Sequence, residues 1–347
     1  MVQTMKCIVK TKAGPGNLEM WEKPIPVPGA GEVLIKVHLA AICGTDIHIK
    51  DWEEFAATRM NPSIIIGHEF CGEIVAVGNG VSEERVGQLV SAESHIACHR
   101  CSLCLDGKEN LCLNTKAIGV HIDGCFAEYV KIPSENAYVC NPNIPEENNA
   151  MLEPLGVAVH AATKVNLGGK IVAVTGCGPI GLMAATVAKR LGAGKVICVE
   201  PNAYRAEAAY KMGADLVLNP IECNIVDEMR RICEGIGPDV VLEFSGNIGG
   251  IQAATKYIRP GGEIVIGGLP NHDVPLNFTE IFYRGVNLYG LSGREMYHTW
   301  KVMTGLLNSG MDVSGCISHI LPMEEYNKAF ELLESGQALK ILLRPFQ

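Results

Sequence analysis

The sequence predicts an α/β protein made of a β-rich, barrel-like domain and a second domain with a doubly wound parallel sheet. Its 347 residues correspond to about two domains of ordinary size. In roughly the first 150 residues, short β-branched runs alternate with Gly- and Pro-rich turns. From Lys170 onward, an apolar strand, a Gly-rich turn and a helical stretch recur, which is typical of parallel sheets with crossover helices.

The expected elements can be placed in chain order. Strands are predicted at 32–38, 73–77, 172–175, 195–200, 239–243 and 263–267. After about residue 292 the alternation of strand and helix breaks down, with helical stretches at 295–309 and 324–335 and a last strand at 339–343. We therefore expect the tail of the chain to rejoin the first domain.

Composition and charge narrow the class of function. Hydrophobic residues make up 48% of the chain and charged residues 19%, which is too apolar for a disordered protein. The net charge of −9 argues against binding to nucleic acid or to acidic membranes, so a small-molecule partner is expected. Glycines interrupt the longest uncharged stretch, 171–189, so we expect no membrane span. The basic residues near the start are followed by no apolar signal, which predicts a cytoplasmic protein.

Four cysteines predict a structural zinc site. The chain has 14 cysteines, and thiols in a reducing compartment are more often packing residues or metal ligands than disulfides. Four of them have the spacing C-x2-C-x2-C-x7-C: Cys98, Cys101, Cys104 and Cys112. Four thiolates close a tetrahedral zinc shell without an open position. His95 and His99 lie near enough to compete as ligands, and four unrelated buried thiols are the alternative.

A second group of residues predicts a catalytic zinc site with an open position. A thiolate, an imidazole and a carboxylate bind zinc while leaving room for substrate, and the candidates are Cys43, His68, Glu69 and Glu153. Asp46 is expected to orient a ligand. Thr45 and His48 offer a hydroxyl and an imidazole that could relay a proton to solvent. Taken singly, each of these residues is also compatible with an ordinary core or surface position.

A glycine-rich turn predicts a dinucleotide site. The strand at 172–175 leads into Gly-Cys-Gly-Pro-Ile-Gly. Gly176 permits the tight turn, Gly178 lets the backbone approach a pyrophosphate, and Gly181 brings helix against strand. Glu200 ends the next strand and could accept both ribose hydroxyls, which favours NAD over NADP. Arg205 lies nearby and leaves NADP as the alternative.

These motifs together resemble those of the zinc-dependent medium-chain alcohol dehydrogenases. The similarity rests on Gly-His-Glu at 67–69, Cys-Gly-Thr-Asp-Ile-His at 43–48, the four-cysteine loop and Glu-Pro at 153–154, and extends over essentially the whole chain. The resemblance implies a GroES-like zinc domain at 1–155 and 295–347, a Rossmann NAD domain at 156–294, and a homotetramer. It implies two zinc ions per chain, the catalytic ion held by Cys43, His68 and either Glu69 or Glu153. Residues implied to line the dinucleotide are Ile180, Glu200, Arg205, Gly267, Gly268, Leu269, Leu291 and Ser292.

The substrate signals within this family point in two directions. The segment 293–300, with Trp52 and His95, is similar to members that oxidise L-threonine, and His95 is a candidate for the pocket wall. Val157 stands where those members usually carry Asn, and 157–160 is more similar to members that oxidise polyols or 2,3-butanediol. A relative that binds NAD without catalysis is a further alternative, although all the expected metal ligands are present.

Overall fold

The computed structural model describes residues 2–346, which divide into two compact units. The first unit runs to Glu153 and resumes at Ile317, and the second comprises Pro154–Cys316. The strands are β1 (Thr4–Lys10), β2 (Leu18–Pro24), β3 (Glu32–Ala41), β4 (Ile64–Ile65), β5 (Glu69–Val77), β6 (Leu89–Ala92), β7 (His95–Ile96), β8 (Lys116–Ala117), β9 (Tyr129–Pro133), β10 (Ala137–Val139), β11 (Ile171–Thr175), β12 (Lys195–Val199), β13 (Leu216–Leu218), β14 (Val240–Glu243), β15 (Glu263–Ile266), β16 (Asn287–Gly290), β17 (Ile317–Pro322) and β18 (Lys340–Arg344). The helices are α1 (Gly44–Asp51), α2 (Glu54–Arg59), α3 (Ser102–Leu105), α4 (Glu146–Ala150), α5 (Leu152–Thr163), α6 (Pro179–Arg190), α7 (Ala203–Lys211), α8 (Ile225–Ile232), α9 (Ile248–Tyr257), α10 (Phe278–Arg284), α11 (His298–Asn308) and α12 (Tyr326–Glu334).

The first unit is built around the long strand β3. It pairs antiparallel with β5 and β9, and the sheet continues in the order β10-β6-β5-β3-β18-β17. Alternate β3 residues such as Val33, Ile35 and Val37 are buried, as expected for a strand with one face on a core. Strand β18 pairs with the end of β3, with Leu342 opposite Ala41. The C-terminal segment therefore rejoins the first unit.

The second unit contains a six-stranded sheet that is parallel throughout. Its strand order is β13-β12-β11-β14-β15-β16, the doubly wound arrangement in which the order reverses next to the first strand. Val172, Ala173 and Val174 are all fully buried, because helices cover both faces of such a sheet. The carboxyl ends of all six strands meet at one edge, where dinucleotides bind in this architecture.

The structure assigns residues 295–316 to the second unit, whereas the sequence placed them in the first domain. Helix α11 starts only at His298, after Tyr297 adopts a left-handed backbone with φ of 66°. At its far end, the Arg190 guanidinium of α6 donates to the carbonyl and hydroxyl of Ser309. Gly315 packs beside Met212. These contacts join the segment to the second unit and were not visible in its sequence pattern.

No helix within residues 2–346 is long and apolar enough to cross a membrane.

A buried lysine ties the loop between β1 and β2 to the end of α1. Lys10 is fully buried, and its ammonium donates to the carbonyls of Gly14 at 2.7 Å, Gly16 at 2.6 Å and Lys50 at 3.1 Å. The ammonium also lies 5.1 Å from the centre of the Trp52 ring. Because a buried cation is tolerated only with such partners, Lys10 helps to fix the end of the helix that carries Thr45 and His48.

We expect Lys10→Met to lower the free energy of unfolding by about 1–3 kcal/mol, because it leaves three carbonyls without their donor. The measurement is urea unfolding of the metal-loaded protein. Lys12→Met, which removes an exposed lysine from the same segment, is the matched control. Equal stabilities of the two variants would contradict the prediction.

Candidate active site

Strand register brings three potential metal ligands together in the first unit. In the antiparallel pair of β3 and β5, Ala41 lies opposite Glu69. Cys43 lies two residues beyond the end of β3, as the N-cap of α1, and His68 immediately precedes β5. One donor atom from each of Cys43, His68 and Glu69 lies within 4.8 Å of the others. Two short motifs that are about 25 residues apart in the sequence thus converge because their strands pair.

The atoms of this cluster fit a zinc ion. His68 Nδ1 and Glu69 Oε1 are buried without a hydrogen-bond partner, an arrangement that is costly unless a ligand or ion satisfies them. A sulfur, a ring nitrogen and a carboxylate oxygen are the donors that catalytic zinc sites use, and three protein ligands leave the fourth position open. Cys43, His68 and Glu69 would therefore hold the metal.

Charged neighbours reinforce this fit. Burial alone would lower the pKa of His68, but Asp46, Cys43 and Glu153 raise it well above its usual value. Burial also raises the pKa of Glu69, against the opposing effect of Lys340. Such a concentration of buried anionic groups around one imidazole favours a divalent cation at this point.

Two residues hold the ligands in place. Asp46 Oδ2 accepts a hydrogen bond from the Cys43 backbone N–H at 2.9 Å, and its Oδ1 lies 3.8 Å from His68 Nδ1. Lys340 Nζ donates to Glu69 Oε2 at 2.6 Å and to the Ile42 carbonyl at 2.9 Å. Asp46, which the sequence predicted to orient a ligand, therefore contacts the backbone of Cys43 and lies near the His68 ring. Lys340 was not predicted, and its only sequence signal is a lysine within the apolar run at 339–343.

Glu153 is not one of the clustered donors, although its charge raises the pKa of both His68 and Glu69. The cluster found among residues 2–346 joins Cys43 and His68 to Glu69 and does not include Glu153. The Glu153 carboxylate accepts a hydrogen bond from the Ser94 hydroxyl at 2.5 Å, and both side chains are buried. The structure therefore brings Glu69 to the other two candidate ligands and gives Glu153 a different partner.

The other site residues that the sequence predicts in the first unit are Thr45 and His48 in α1 and His95 in β7. Thr45 Oγ1 is 3.7 Å from Cys43 Sγ. His48, three residues further along the same helix face, is 41% exposed and pairs with Glu53 Oε2 at 2.8 Å. A hydroxyl beside the cluster and a half-exposed imidazole beyond it suit a path for a proton. His95 is partly exposed, with Nδ1 3.6 Å from Glu93.

The four predicted cysteines of the zinc loop form a second cluster. The sulfurs of Cys98, Cys101, Cys104 and Cys112 all lie within 4.8 Å of one another. Cys101 Sγ is 3.5 Å from Cys104 Sγ and 4.0 Å from Cys112 Sγ, close to the ~3.8 Å expected for thiolates that share a tetrahedral zinc.

Local hydrogen bonds act on two of these sulfurs, those of Cys98 and Cys112. The Arg100 backbone N–H, with the Asn114 side chain, lowers the pKa of Cys98 to about 5. The backbone N–H groups of Cys98 and Asn114 point at Cys112 Sγ, at 3.2 and 3.4 Å. His99 is exposed and pairs with Glu135 at 3.3 Å, so it lies outside the cluster of sulfurs.

In the second unit, the three glycines of the β11–α6 turn have distinct surroundings. Gly176 has a φ of 81°, and a Cβ there would lie 2.6 Å from the Ser245 nitrogen. A Cβ at Gly181 would lie 1.9 Å from the Gly176 carbonyl oxygen. Gly178 has no atom within 4 Å of that position. Packing thus requires glycine at 176 and 181. Gly178 instead borders open space at the start of α6, and backbone N–H groups at the start of a helix attract a pyrophosphate. Ile180 lies in the first turn of the same helix.

The residues predicted to bind ribose lie next to this turn. Glu200 follows β12 and is buried, and its carboxylate accepts from the backbone N–H groups of Cys177 at 2.7 Å and Asn202 at 2.9 Å. Arg205, in α7, has a buried Nε without a hydrogen-bond partner. The Glu200 carboxylate is therefore fixed against the glycine turn through Cys177. The Arg205 guanidinium, a few residues further along the chain, has one nitrogen without a hydrogen-bond partner.

The other predicted dinucleotide contacts follow the neighbouring strands. Gly267, Gly268 and Leu269 follow β15, and Leu291 and Ser292 follow β16, so all five lie at the carboxyl edge of the sheet. The backbone N–H groups of both glycines donate to the Glu243 carbonyl at 2.8 Å, and Leu291 donates to Ile266 at 2.9 Å.

Glu243 is a buried residue of this edge that the sequence did not single out. Its carboxylate accepts from Thr175 Oγ1, from the backbone N–H groups of Ser245 and Gly246, and from the Ser245 hydroxyl. Burial raises the pKa of this carboxyl. Because Gly268 packs against it and the Gly246 backbone N–H donates to it, Glu243 organises the loops beside the glycine turn.

The comparisons with known proteins define the class of protein. Residues 29–143 match the alcohol dehydrogenase GroES-like domain, and residues 179–309 match the zinc-binding dehydrogenase domain. The chain therefore belongs to the zinc-binding dehydrogenases of the alcohol dehydrogenase family. The predicted fold class, the zinc-dependent dehydrogenase activity, and zinc and a nicotinamide dinucleotide as cofactors are confirmed.

Particular relatives narrow the comparison. The chain is 46% identical to an L-threonine 3-dehydrogenase of Caldanaerobacter subterraneus, over 93% of this chain and 94% of the relative. Among solved structures it is similar to an alcohol dehydrogenase of E. coli CFT073 complexed with NADH, with a TM-score of 0.91, 29% identity, and coverage of 98% of this chain and 99% of that one. It is also similar to the 2R,3R-butanediol dehydrogenase of Bacillus subtilis, with a TM-score of 0.89 and 26% identity. That alignment covers 99% of this chain and 100% of the other.

We expect Cys43→Ser to abolish turnover, because a serine hydroxyl replaces the only thiolate of the candidate catalytic site. Metal analysis should find one zinc per chain instead of two, and binding of the dinucleotide should be unchanged. Cys223→Ser, a thiol outside both clusters, is the control. Full turnover by Cys43→Ser would remove Cys43 from the zinc shell.

Glu243→Gln should weaken dinucleotide binding by about fivefold, which corresponds to roughly 1 kcal/mol for one lost hydrogen bond. The new amide group cannot accept from both Ser245 and Gly246. Fluorescence titration with the dinucleotide measures the effect. Glu263→Gln, at the opposite end of the sheet, should bind like the wild type, and an equal loss in both variants would refute the assignment.

Proposed function

We propose that this protein is an NAD-dependent zinc dehydrogenase that oxidises the 3-hydroxyl of L-threonine to give 2-amino-3-ketobutyrate. The observation that carries the proposal is the cluster of Cys43, His68 and Glu69, with two buried atoms that lack hydrogen-bond partners. The similarity to an L-threonine 3-dehydrogenase over nearly the whole chain supports the choice of substrate.

The residues of the first unit account for proton removal. Zinc, when bound, supplies a Lewis acid that makes the substrate hydroxyl more acidic. The Thr45 hydroxyl accepts the proton from the substrate and donates its own proton to His48. The imidazole releases that proton to solvent, since its ring is half exposed, and Glu53 holds it in position. Asp46 positions Cys43 by accepting a hydrogen bond from its backbone N–H.

The second unit accounts for cofactor choice. NAD, when bound, would supply the acceptor for the hydride that leaves the substrate. The buried carboxylate of Glu200 can accept hydrogen bonds from the ribose hydroxyls, and its charge repels a 2′-phosphate. Arg205 can contact the adenosine from the other side. These features support NAD over NADP.

A diol or polyol is the second candidate substrate. Val157, in α5, stands where L-threonine-oxidising members of the family usually carry Asn, and an apolar side chain there would remove one polar contact to an amino-acid substrate. The similarity to a 2R,3R-butanediol dehydrogenase structure favours the same alternative. His95, which is partly exposed in β7, is the candidate for the pocket wall under either substrate.

We also propose that the protein is a cytoplasmic homotetramer. Strand β16 is at the edge of its sheet and pairs only with β15 among the described strands, so it can pair with a second copy. Helix α10, which precedes β16 in the sequence, exposes three aromatic side chains, and Phe282 and Tyr283 are 78% and 81% exposed. Such exposed aromatic side chains favour burial against a partner. Within residues 2–346, no disulfide joins any of the 14 cysteines, which is typical of proteins in a reducing compartment. Sedimentation equilibrium would measure the assembly.

The substrate assignment predicts that the zinc-loaded protein reduces NAD faster with L-threonine than with 2,3-butanediol or sorbitol. Initial rates with each substrate, and with NADP in place of NAD, test the proposal. Cys43→Ser supplies the background rate. Val157→Asn should lower the KM for L-threonine by about tenfold, because a buried polar partner is worth about 1–3 kcal/mol. A preference for the diol or polyol in the wild type would overturn the choice of substrate.

A further inference from the structure

Four basic side chains lie close together in the first unit, in a chain whose net charge is −9. They are His95 in β7, Lys116 in β8, His121 in the turn after β8, and Arg59 at the end of α2. His95 lies opposite Ala117 in the pair of β7 and β8, and the Ala117 backbone N–H donates to His121 Nδ1 at 2.9 Å. We call these four basic residues the basic rim.

The turn that carries His121 packs against the residue before a metal ligand. A Cβ at Gly119 would lie 2.5 Å from the Gly67 carbonyl oxygen. The same oxygen accepts from the Cys125 backbone N–H at 3.0 Å. Since Gly67 directly precedes His68, the turn and the candidate zinc centre are held side by side. The basic rim is therefore a charged surface next to the metal ligands.

Hydrogen bonding determines which nitrogen of His121 can donate. Nδ1 accepts the Ala117 backbone N–H, so the neutral ring carries its proton on Nε2. Burial lowers the pKa of His121, and the positive charges of Arg59, Lys116 and His95 lower it further, which favours the neutral ring. The residue as a whole is exposed, so this N–H donor is available to a ligand.

Arg59 supplies a full positive charge in the same rim. Its guanidinium lies 4.6 Å from the centre of the Phe55 ring, and it forms no ion pair within residues 2–346. An aromatic ring in this position restrains a guanidinium and leaves its N–H groups available. Guanidinium and N–H donors together bind carboxylates through charge-assisted hydrogen bonds.

The carboxylates nearest to the rim along the chain have partners of their own. The Glu93 carboxylate accepts from the His95 backbone N–H at 3.0 Å and lies 3.6 Å from His95 Nδ1, so His95 already has an anionic neighbour. The Asp123 carboxylate lies 3.4 Å from Lys23 Nζ. The other three residues of the rim therefore keep their positive charge and their donors for a ligand.

We propose that Arg59 and His121 bind the carboxylate of the substrate and thereby select hydroxy acids and amino acids over uncharged diols and polyols. The inference rests on the proposed function and deepens it, because L-threonine carries a carboxylate and 2,3-butanediol does not. It also gives the chain a means of recognising L-threonine that does not depend on the residue at position 157.

The direct test compares L-threonine with L-threoninamide, in which an uncharged amide replaces the carboxylate. The zinc-loaded wild type should have the higher kcat/KM for L-threonine. Arg59→Met should lower the ratio of the two kcat/KM values by about tenfold, as expected for the loss of one charge-assisted hydrogen bond. Lys36→Met, which removes an exposed lysine of β3, is the control and should keep the wild-type ratio.

Two substitutions of His121 separate contact with the carboxylate from a structural role. His121→Gln can place an amide N–H where Nε2 lies, so it should keep the wild-type ratio. His121→Asn can place its oxygen where Nδ1 lies and so keep the bond to Ala117. It lacks the outer donor, however, and should lower the ratio by about tenfold. Thermal unfolding of each variant shows whether it is folded.

Two results in the variants would overturn the inference. One is a ratio that either Arg59→Met or His121→Asn leaves unchanged. The other is a lower ratio in His121→Gln, which would assign the ring to holding the turn through Ala117.

Failure of the proposed substrate gives a different result. A wild type that prefers 2,3-butanediol would overturn the choice of L-threonine, and the two compounds are then compared as inhibitors of diol oxidation. The rim predicts that L-threonine inhibits more strongly than L-threoninamide, and that Arg59→Met removes this difference. Equal inhibition of the wild type by the two compounds would overturn the carboxylate site as well.

Discussion

The ion pair between Lys340 and Glu69 is the interaction on which the architecture of the zinc centre depends. Both side chains are buried, and Nζ lies 2.6 Å from Oε2. A buried charge is tolerated only when it is paired and hydrogen bonded, so the strands that carry these residues must stay in register. Ala41 lies opposite Glu69 on one side and Leu342 on the other. The contact between Lys340 and Glu69 thus links β18 to β5 across β3, which lies between them.

This contact also determines the chemistry of the site. Lys340 occupies one oxygen of Glu69, and the other oxygen is left without a hydrogen-bond partner near Cys43 and His68. The carboxylate can therefore act as a metal ligand while part of its charge is balanced from behind. Cys43, His68 and Glu69 lie together, and three such ligands would leave one open position on a bound zinc, as a Lewis acid in catalysis requires.

Local motifs were predictable from the sequence, and contacts over long sequence separations were not. The spacing of Cys98, Cys101, Cys104 and Cys112 reflects a loop that closes on itself, and the glycine turn reflects one strand and one helix. Lys340 and Glu69 are 271 residues apart, and only the pairing of β18 with β3 brings them together. The segment at 295–316 was misplaced for the same reason, since its helical pattern does not reveal that it packs with α6. The sequence left the choice between Glu69 and Glu153 open, and the strand pairing that brings Glu69 to Cys43 favours Glu69.

The most direct test of this account is a crystal structure with anomalous diffraction measured at the zinc edge. The account predicts two anomalous peaks per chain, one among the four cysteines of the loop and one bound by Cys43, His68 and Glu69. In the same map, Lys340 should contact Glu69, and Glu153 should remain on Ser94. A single peak at the four-cysteine loop, or a second peak bound by Glu153 in place of Glu69, would contradict it.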